Sequence, residues 1–186
     1  MRVTTGLARG RKLVAPQGLD TRPSSDMTKQ AVFNIVQNYV EGSTFLDLFA
    51  GSGQMGIEAL SRGAKHAVFV DASPKAIQAV RENLAHCGFA DKAKVAQMDA
   101  QSFLKSTTTR FDLVFLDPPY QQQIIDAVLP AVVHQMAPGG IILCETERNE
   151  QLPEQAGDYT LTKTYFYGKA KITAYRRQEE AYSWND

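Results

Sequence analysis

Gly51-Ser52-Gly53-Gln54-Met55-Gly56 stands between a short apolar run and a helix-like stretch. Glycines at this spacing let backbone approach a ligand and aim helix N–H groups at it. Asp71 ends the next apolar run, where a carboxylate can accept hydrogen bonds from ribose hydroxyls. These features suit a dinucleotide as well as any other nucleoside. A glycine turn needed only for strand–helix packing is the structural alternative.

Two further features separate the ligands. The first is a series of acids at or near strand ends: Asp47, Asp71, Asp99 and Asp117. In a doubly wound sheet those ends share one rim, where ligands bind. Asp47 comes just before the glycines. It would repel a pyrophosphate but not an ammonium or a sulfonium. Asp99, with Ala100 beside it, follows the third strand and can accept a bond from an adenine amino group. Any one such Asp is commonly a solvated strand end or a helix cap; four in register are harder to dismiss.

The second is Asp117-Pro118-Pro119-Tyr120, directly after an apolar strand. The prolines remove two N–H donors and fix φ. The Asp117 carboxylate and the Pro118 carbonyl are left as acceptors that can hold both hydrogens of an exocyclic amine. Tyr120 offers a face on which a planar base can stack. A rigid turn with Tyr120 as a lid on the core is the plainer alternative.

The elements that must position these groups alternate. Residues 2–15 read as a β-hairpin turning at Ala8-Arg9-Gly10. A helix starts around Ser24-Ser25-Asp26 and carries the stripe Val32, Ile35, Val36, Tyr39. Strands are expected over 44–49, 67–70, 94–98, 111–116 and 141–144, with helices over 52–62, from Pro74 to Gly88, and over 122–137. That pattern predicts a mostly parallel doubly wound α/β sheet. Residues 159–166 and 171–176 lack a helix between them, so they should form an antiparallel edge hairpin. The expected organisation is an extension over 1–40, the main domain over 41–177, and a frayed tail over 178–186.

The 186 residues carry 20 basic and 20 acidic side chains, so bulk charge cannot drive binding to nucleic acid or a membrane. Residues 1–30 nevertheless hold six basic groups against two acidic ones, an excess of +4 that leaves −4 elsewhere. Arg9, Arg11 and Lys12 crowd the hairpin turn, and Arg22 follows in the adjoining loop. They are candidate contacts to nucleic-acid phosphates; a charged edge that prevents strand–strand aggregation is the alternative. Cys87 and Cys144, and His66, His86 and His134, have no ligand spacing, so no metal is expected. No apolar run reaches the ~20 residues of a membrane span, and no signal peptide is visible. A cytoplasmic protein, and a monomer, is expected.

Phe45-Leu46-Asp47-Leu48-Phe49-Ala50-Gly51-Ser52-Gly53 resembles the first motif of class I S-adenosylmethionine-dependent methyltransferases. Asp117-Pro118-Pro119-Tyr120 resembles the fourth motif of their amino-methylating branch. Gly6 through Leu13 and Thr21-Arg22-Pro23 through Phe33-Asn34-Ile35 are similar to the RsmD-like enzymes, which methylate the exocyclic amine of a guanine in small-subunit (16S) ribosomal RNA. Asp71 stands where many relatives have Glu, and Met27 and Gln30 stand where basic residues are expected. The resemblance implies a Rossmann-like methyltransferase fold. It implies S-adenosylmethionine held by Asp47, Gly51, Gly53, Asp71, Asp99 and Ala100. It further implies catalysis at Asp117, Pro118 and Tyr120, and a ribosomal RNA substrate, within a small-subunit assembly intermediate. A DNA adenine or protein glutamine methyltransferase, a nicotinamide-dependent oxidoreductase using the same glycine loop, and a non-catalytic RNA-binding protein are the competing readings.

Overall fold

The computed structural model describes residues 1–18, 25–119 and 123–179. Arg22, Tyr120 and Trp184 fall outside them. One eight-stranded sheet organises the chain. Its strands are β1 (Thr44–Asp47), β2 (His66–Asp71), β3 (Ala93–Gln97), β4 (Phe111–Leu116), β5 (Met136–Glu147), β6 (Gln155–Ala156), β7 (Tyr159–Tyr167) and β8 (Ala170–Arg177). They lie in the order β3-β2-β1-β4-β5-β8-β7-β6. The first five run parallel, and β8, β7 and β6 add antiparallel pairings.

The central strands are apolar along both faces because both are covered. On one side α1 (Asp26–Ile35), α2 (Gln54–Ser61) and α3 (Pro74–Cys87) bury Phe33, Ile57 and Val80 against Phe45, Phe69 and Phe115. On the other, α4 (Ala100–Ser106) and α5 (Ile124–Val133) bury Phe103 and Leu129 against Leu46, Val70 and Val114. The strand order reverses between β1 and β4. That is the topological switch point, where loops diverge and leave a crevice. The glycine loop follows β1 and Asp117-Pro118 follows β4, so both border it.

Several elements depart from expectation. The front is not a ladder: Arg2↔Lys12 is an isolated bridge. The segment is a minimal hairpin, in which Val3 N–H donates to the Arg11 carbonyl at 2.9 Å, Gly10 N–H to the Val3 carbonyl at 2.8 Å and Leu13 N–H to the Met1 carbonyl at 3.1 Å, and it bonds to α2 as well. Thr4 and Thr5 N–H donate to Glu58 at 2.9 and 3.0 Å, and Leu7 N–H donates to the Ser61 carbonyl at 2.9 Å. Gly6, at φ +85°, makes the close pass, where a Cβ would lie 1.8 Å from the Ser61 oxygen. Val3, Ala8 and Leu13 enter the same core as α1–α3, so this extension is packed into the main body.

Helix α1 ends at Ile35, with Tyr39 in the turns beyond. Helix α4 has no counterpart in the expected pattern; Asp99 caps it, and Phe103 and Leu104 are its short apolar stripe. Met136 belongs to β5, paired with Phe111, rather than to the preceding helix; a bulge follows before Leu113↔Ile141. Among the described residues no helix is long and apolar enough to cross a membrane.

Candidate active site

The three glycines of the loop do different work. Gly53, at φ +78°, is the N-cap of α2, and a Cβ there would lie 3.1 Å from Val80. A Cβ on Gly56 would lie 2.3 Å from the Phe69 ring. These two let α2 settle on β2 and α3. Gly51, at φ +55°, has nothing within 4 Å of the place a Cβ would take. Open approach and tight packing, the two explanations of such a motif, are thus realised at different glycines.

Carboxylates hold this loop from beneath. Asp71 accepts from Gly51 N–H at 2.9 Å through one oxygen and from Ser73 N–H at 2.8 Å through the other. Asp47 is 2% exposed and accepts from Gly56 N–H at 3.0 Å. Burial pushes its carboxyl up to about 7; the Gly56 bond opposes the shift and nearby Asp71 adds to it.

Asp99 is exposed and caps α4, accepting from Ser102 N–H at 2.9 Å, and these hydrogen bonds hold it below the usual range. Ala100 is buried at the first position of that helix. Met98 N–H donates to the Asp71 carbonyl at 3.1 Å, tying the loop after β3 to the loop after β2. Asp117 is half-buried just past β4, with Pro118 buried and Pro119 exposed. Asp47, Asp71, Asp99 and Asp117 therefore meet at the C-terminal edge of neighbouring parallel strands. Among the described residues no acid, His and Cys group could hold a metal.

The basic front residues sit elsewhere. The turn over residues 7–10 lies at the C-terminal end of α2, remote from the strand ends that carry the four acids. Arg11 donates to the His86 carbonyl in the last turn of α3, at the same remote end. Backbone bonding to Ser61 draws this turn down the length of α2, so Arg9, Arg11 and Lys12 do not stand beside the acids of the rim. The segment reaches the glycine loop only through its beginning: Ser52 Oγ lies 3.2 Å from Met1 Sδ.

The residues that sequence reasoning does not find are those that brace α2. Lys29 and Glu58 are both fully buried, with Nζ 3.7 Å from a Glu58 oxygen. Lys29 also donates to the Arg2 carbonyl at 2.5 Å and lies 3.4 Å from Gln54 Oε1. Burial pulls the Lys29 ammonium down, against the opposing pull of Glu58 and Asp26. Asn83 bridges Val14 and the Ser52 carbonyl. No local spacing announces such pairs.

The family model described as Conserved hypothetical protein 95 matches residues 1–176. A protein of Bacillus subtilis (strain 168) named "Putative rRNA methyltransferase YlbH" is 40% identical over 183 residues, covering 96% of this chain and 100% of that protein. The "Ribosomal RNA small subunit methyltransferase D" of Haemophilus influenzae is 34% identical over 184 residues, covering 95% and 92%. A solved Escherichia coli structure titled "Putative methyltransferase yhhF" superposes with TM-score 0.85 at 32% identity, covering 95% of this chain and 97% of that one. With that match in sequence and fold, and a glycine loop facing an Asp-Pro-Pro turn across the switch point, the chain belongs to the RsmD-like family of class I methyltransferases.

Proposed function

We propose that the protein transfers a methyl group from S-adenosylmethionine to the exocyclic 2-amino group of a guanine in small-subunit (16S) ribosomal RNA. The observation that carries this reading is the pairing, across the β1/β4 switch point, of open backbone at Gly51 with the Asp117-Pro118 acceptors. The names of the relatives support a ribosomal RNA substrate.

The residues present fit S-adenosylmethionine. Gly51 leaves room for a ligand against backbone. Asp47 is a buried carboxyl that a cationic amino-acid end would help to ionise. A pyrophosphate beside it would have the opposite effect, which counts against a nicotinamide dinucleotide. Asp71 would take the ribose hydroxyls, while Asp99 and Ala100 flank the adenine. When bound, the cofactor supplies an electrophilic methyl group with a good leaving group.

The chain's own residues deal with the amine, whose lone pair is delocalised into the base. Asp117 and the Pro118 carbonyl orient its two N–H groups, disfavour its planar form and stabilise the positive charge that develops on nitrogen. Pro118 fixes the direction of that carbonyl. Tyr120 stacks on the extruded base.

Methyl incorporation into 16S RNA, naked and within small subunits, tests the reading, with the methylated base identified after digestion. N2-methylguanine is expected. A methylated adenine, or a methylated protein only, overturns it. Asp117→Ala should lower the single-turnover rate by on the order of 10²-fold or more with cofactor affinity nearly intact.

A further inference from the structure

The β7–β8 hairpin reaches the same rim as the acceptor turn. Leu116 of β4 is level with Cys144 of β5, so Pro118 falls level with Thr146. Thr146 pairs with Lys171 of β8, and Lys171 pairs with Phe166 of β7. Phe166 thus stands at the height of Pro118, three strand spacings across the sheet, about 14 Å. Alternation puts it on the α5 face, the side from which the chain leaves the Asp117 turn.

Phe166 is 52% exposed, the most exposed Phe or Tyr ring among the described residues. The Arg148 guanidinium lies 4.7 Å over its ring, and Arg148 is fixed by its main-chain N–H to the Lys169 carbonyl at 2.9 Å. On the other face Lys163 lies 5.3 Å from the Tyr165 ring. Residues 159–177 hold five basic side chains and no acidic one. Three are engaged: Lys171 by the Glu150 carbonyl, Arg176 against Tyr39, and Arg177 by Asp158 at 2.8 Å. Lys163 and Lys169 remain exposed. Exposed Glu147, the nearest acid in β5, alternates to the face opposite Phe166.

An exposed ring, a guanidinium plane and the solvated Lys169 ammonium at the turn, beside a base-modifying centre, match the chemistry of unpaired RNA. Such RNA is held by stacking on aromatic and Arg planes and by phosphate contacts. We infer that the tip of the β7–β8 hairpin, through Phe166, Arg148 and Lys169, grips the single-stranded RNA flanking the target nucleotide. The inference rests on the RNA substrate proposed above. It assigns the grip to the back of the chain rather than to Arg9, Arg11 and Lys12.

The test measures binding of a labelled 16S RNA fragment without cofactor, alongside methyl transfer to naked RNA and to small subunits. Phe166→Ala is expected to weaken RNA affinity about tenfold, while Phe166→Tyr keeps it. The Michaelis constant for RNA should rise with the saturated rate little changed. Cofactor affinity and melting temperature serve as the folding controls. Wild-type transfer to RNA with unchanged RNA affinity in Phe166→Ala and Arg148→Ala overturns the hairpin grip alone. Loss confined to assembled subunits also overturns it, and gives the tip to a subunit protein. A wild-type protein that neither binds nor methylates RNA removes the proposed activity and the grip together.

Discussion

Residues 1–30 and residues 159–177 hold six and five basic side chains; in each region the fold engages three, and the regions differ in where the exposed ones stand. At the front, Lys29 is sealed against Glu58, Arg2 pairs with Asp26 at 3.5 Å, and Arg11 caps a helix end. The exposed Arg9 and Lys12 of the front lie by the far end of α2, whereas at the back Lys171, Arg176 and Arg177 are engaged and Lys169 faces solvent in the turn beside Arg148, at the C-terminal rim of the parallel strands. Charge counted along a sequence therefore says little about what it will meet. The partner decides, and partners such as Glu58 come from distant positions. A charge excess becomes an interaction surface only where its counter-charges are missing and its geometry faces the site.

The largest expected effect tests the buried half of this contrast. Glu58→Ala strands the Lys29 ammonium in the core and should destabilise the fold by ~3–5 kcal/mol. Replacing Glu58 and Lys29 together by apolar residues should restore much of that loss. Lys163→Ala should shift stability by no more than about 0.5 kcal/mol. Chemical denaturation reads all three, and a Glu58→Ala protein as stable as wild type would erase the contrast.

Next comes the helix end that the front segment braces. Asp47 bonds Gly56 in α2 with its carboxyl raised to about 7. A cationic ligand favours the ionised form, so cofactor affinity should be level above about pH 7. It should fall as pH drops below that value, approaching tenfold per unit. Asp47→Asn should bind more weakly and lose this dependence. For folding the sign is reversed. A raised carboxyl makes the free protein less stable as pH climbs from the ordinary Asp value of about 4 towards 7, and Asp47→Asn should remove that decline. Calorimetric titrations from pH 5 to 8, with melting curves, check both.

A smaller effect separates the two ends directly. Substituting Arg148 and Lys169 by Ala should flatten the slope of log RNA affinity against log salt by about 0.7 for each phosphate no longer neutralised. Substituting Arg9 and Lys12 should leave slope and stability unchanged. Arg11 is kept out of that comparison because its bond to His86 gives it a structural role. A flattened slope in the Arg9/Lys12 variant would reverse the assignment of the two ends.

Much of the rim is legible in the sequence because short spacing encodes it. The glycine loop, the acids ending successive strands and the Asp-Pro-Pro turn each follow from residues close together in the chain. Strand–helix alternation then forces them to one edge. What stays hidden depends on long-range pairing. Thr4, Thr5 and Lys29 find Glu58 from over twenty residues away, so the front reads as a hairpin with no sign that α2 captures its N–H groups. Met136 has the spacing of a helix stripe, and only Phe111 across the sheet makes it a strand residue. Helix α4 escapes notice because Asp99 reads as a ligand-facing strand end, whereas its carboxylate caps the seven residues that follow.

The strand order has a consequence for synthesis. Among the described residues β8 is the last strand made, yet it lies inside the sheet, between β5 and β7. While a ribosome is still making β7, that strand has only the two-residue β6 beside it, and the far edge of β5 is unpaired. The nascent chain thus presents open strand edges, which invite wrong pairing, until residue 177 clears the exit tunnel. One late segment completes the core and carries Phe166 to the rim. A chain stopped in the turn at Gly168 should therefore be released unfinished and prone to aggregate, not as a folded domain merely lacking one strand.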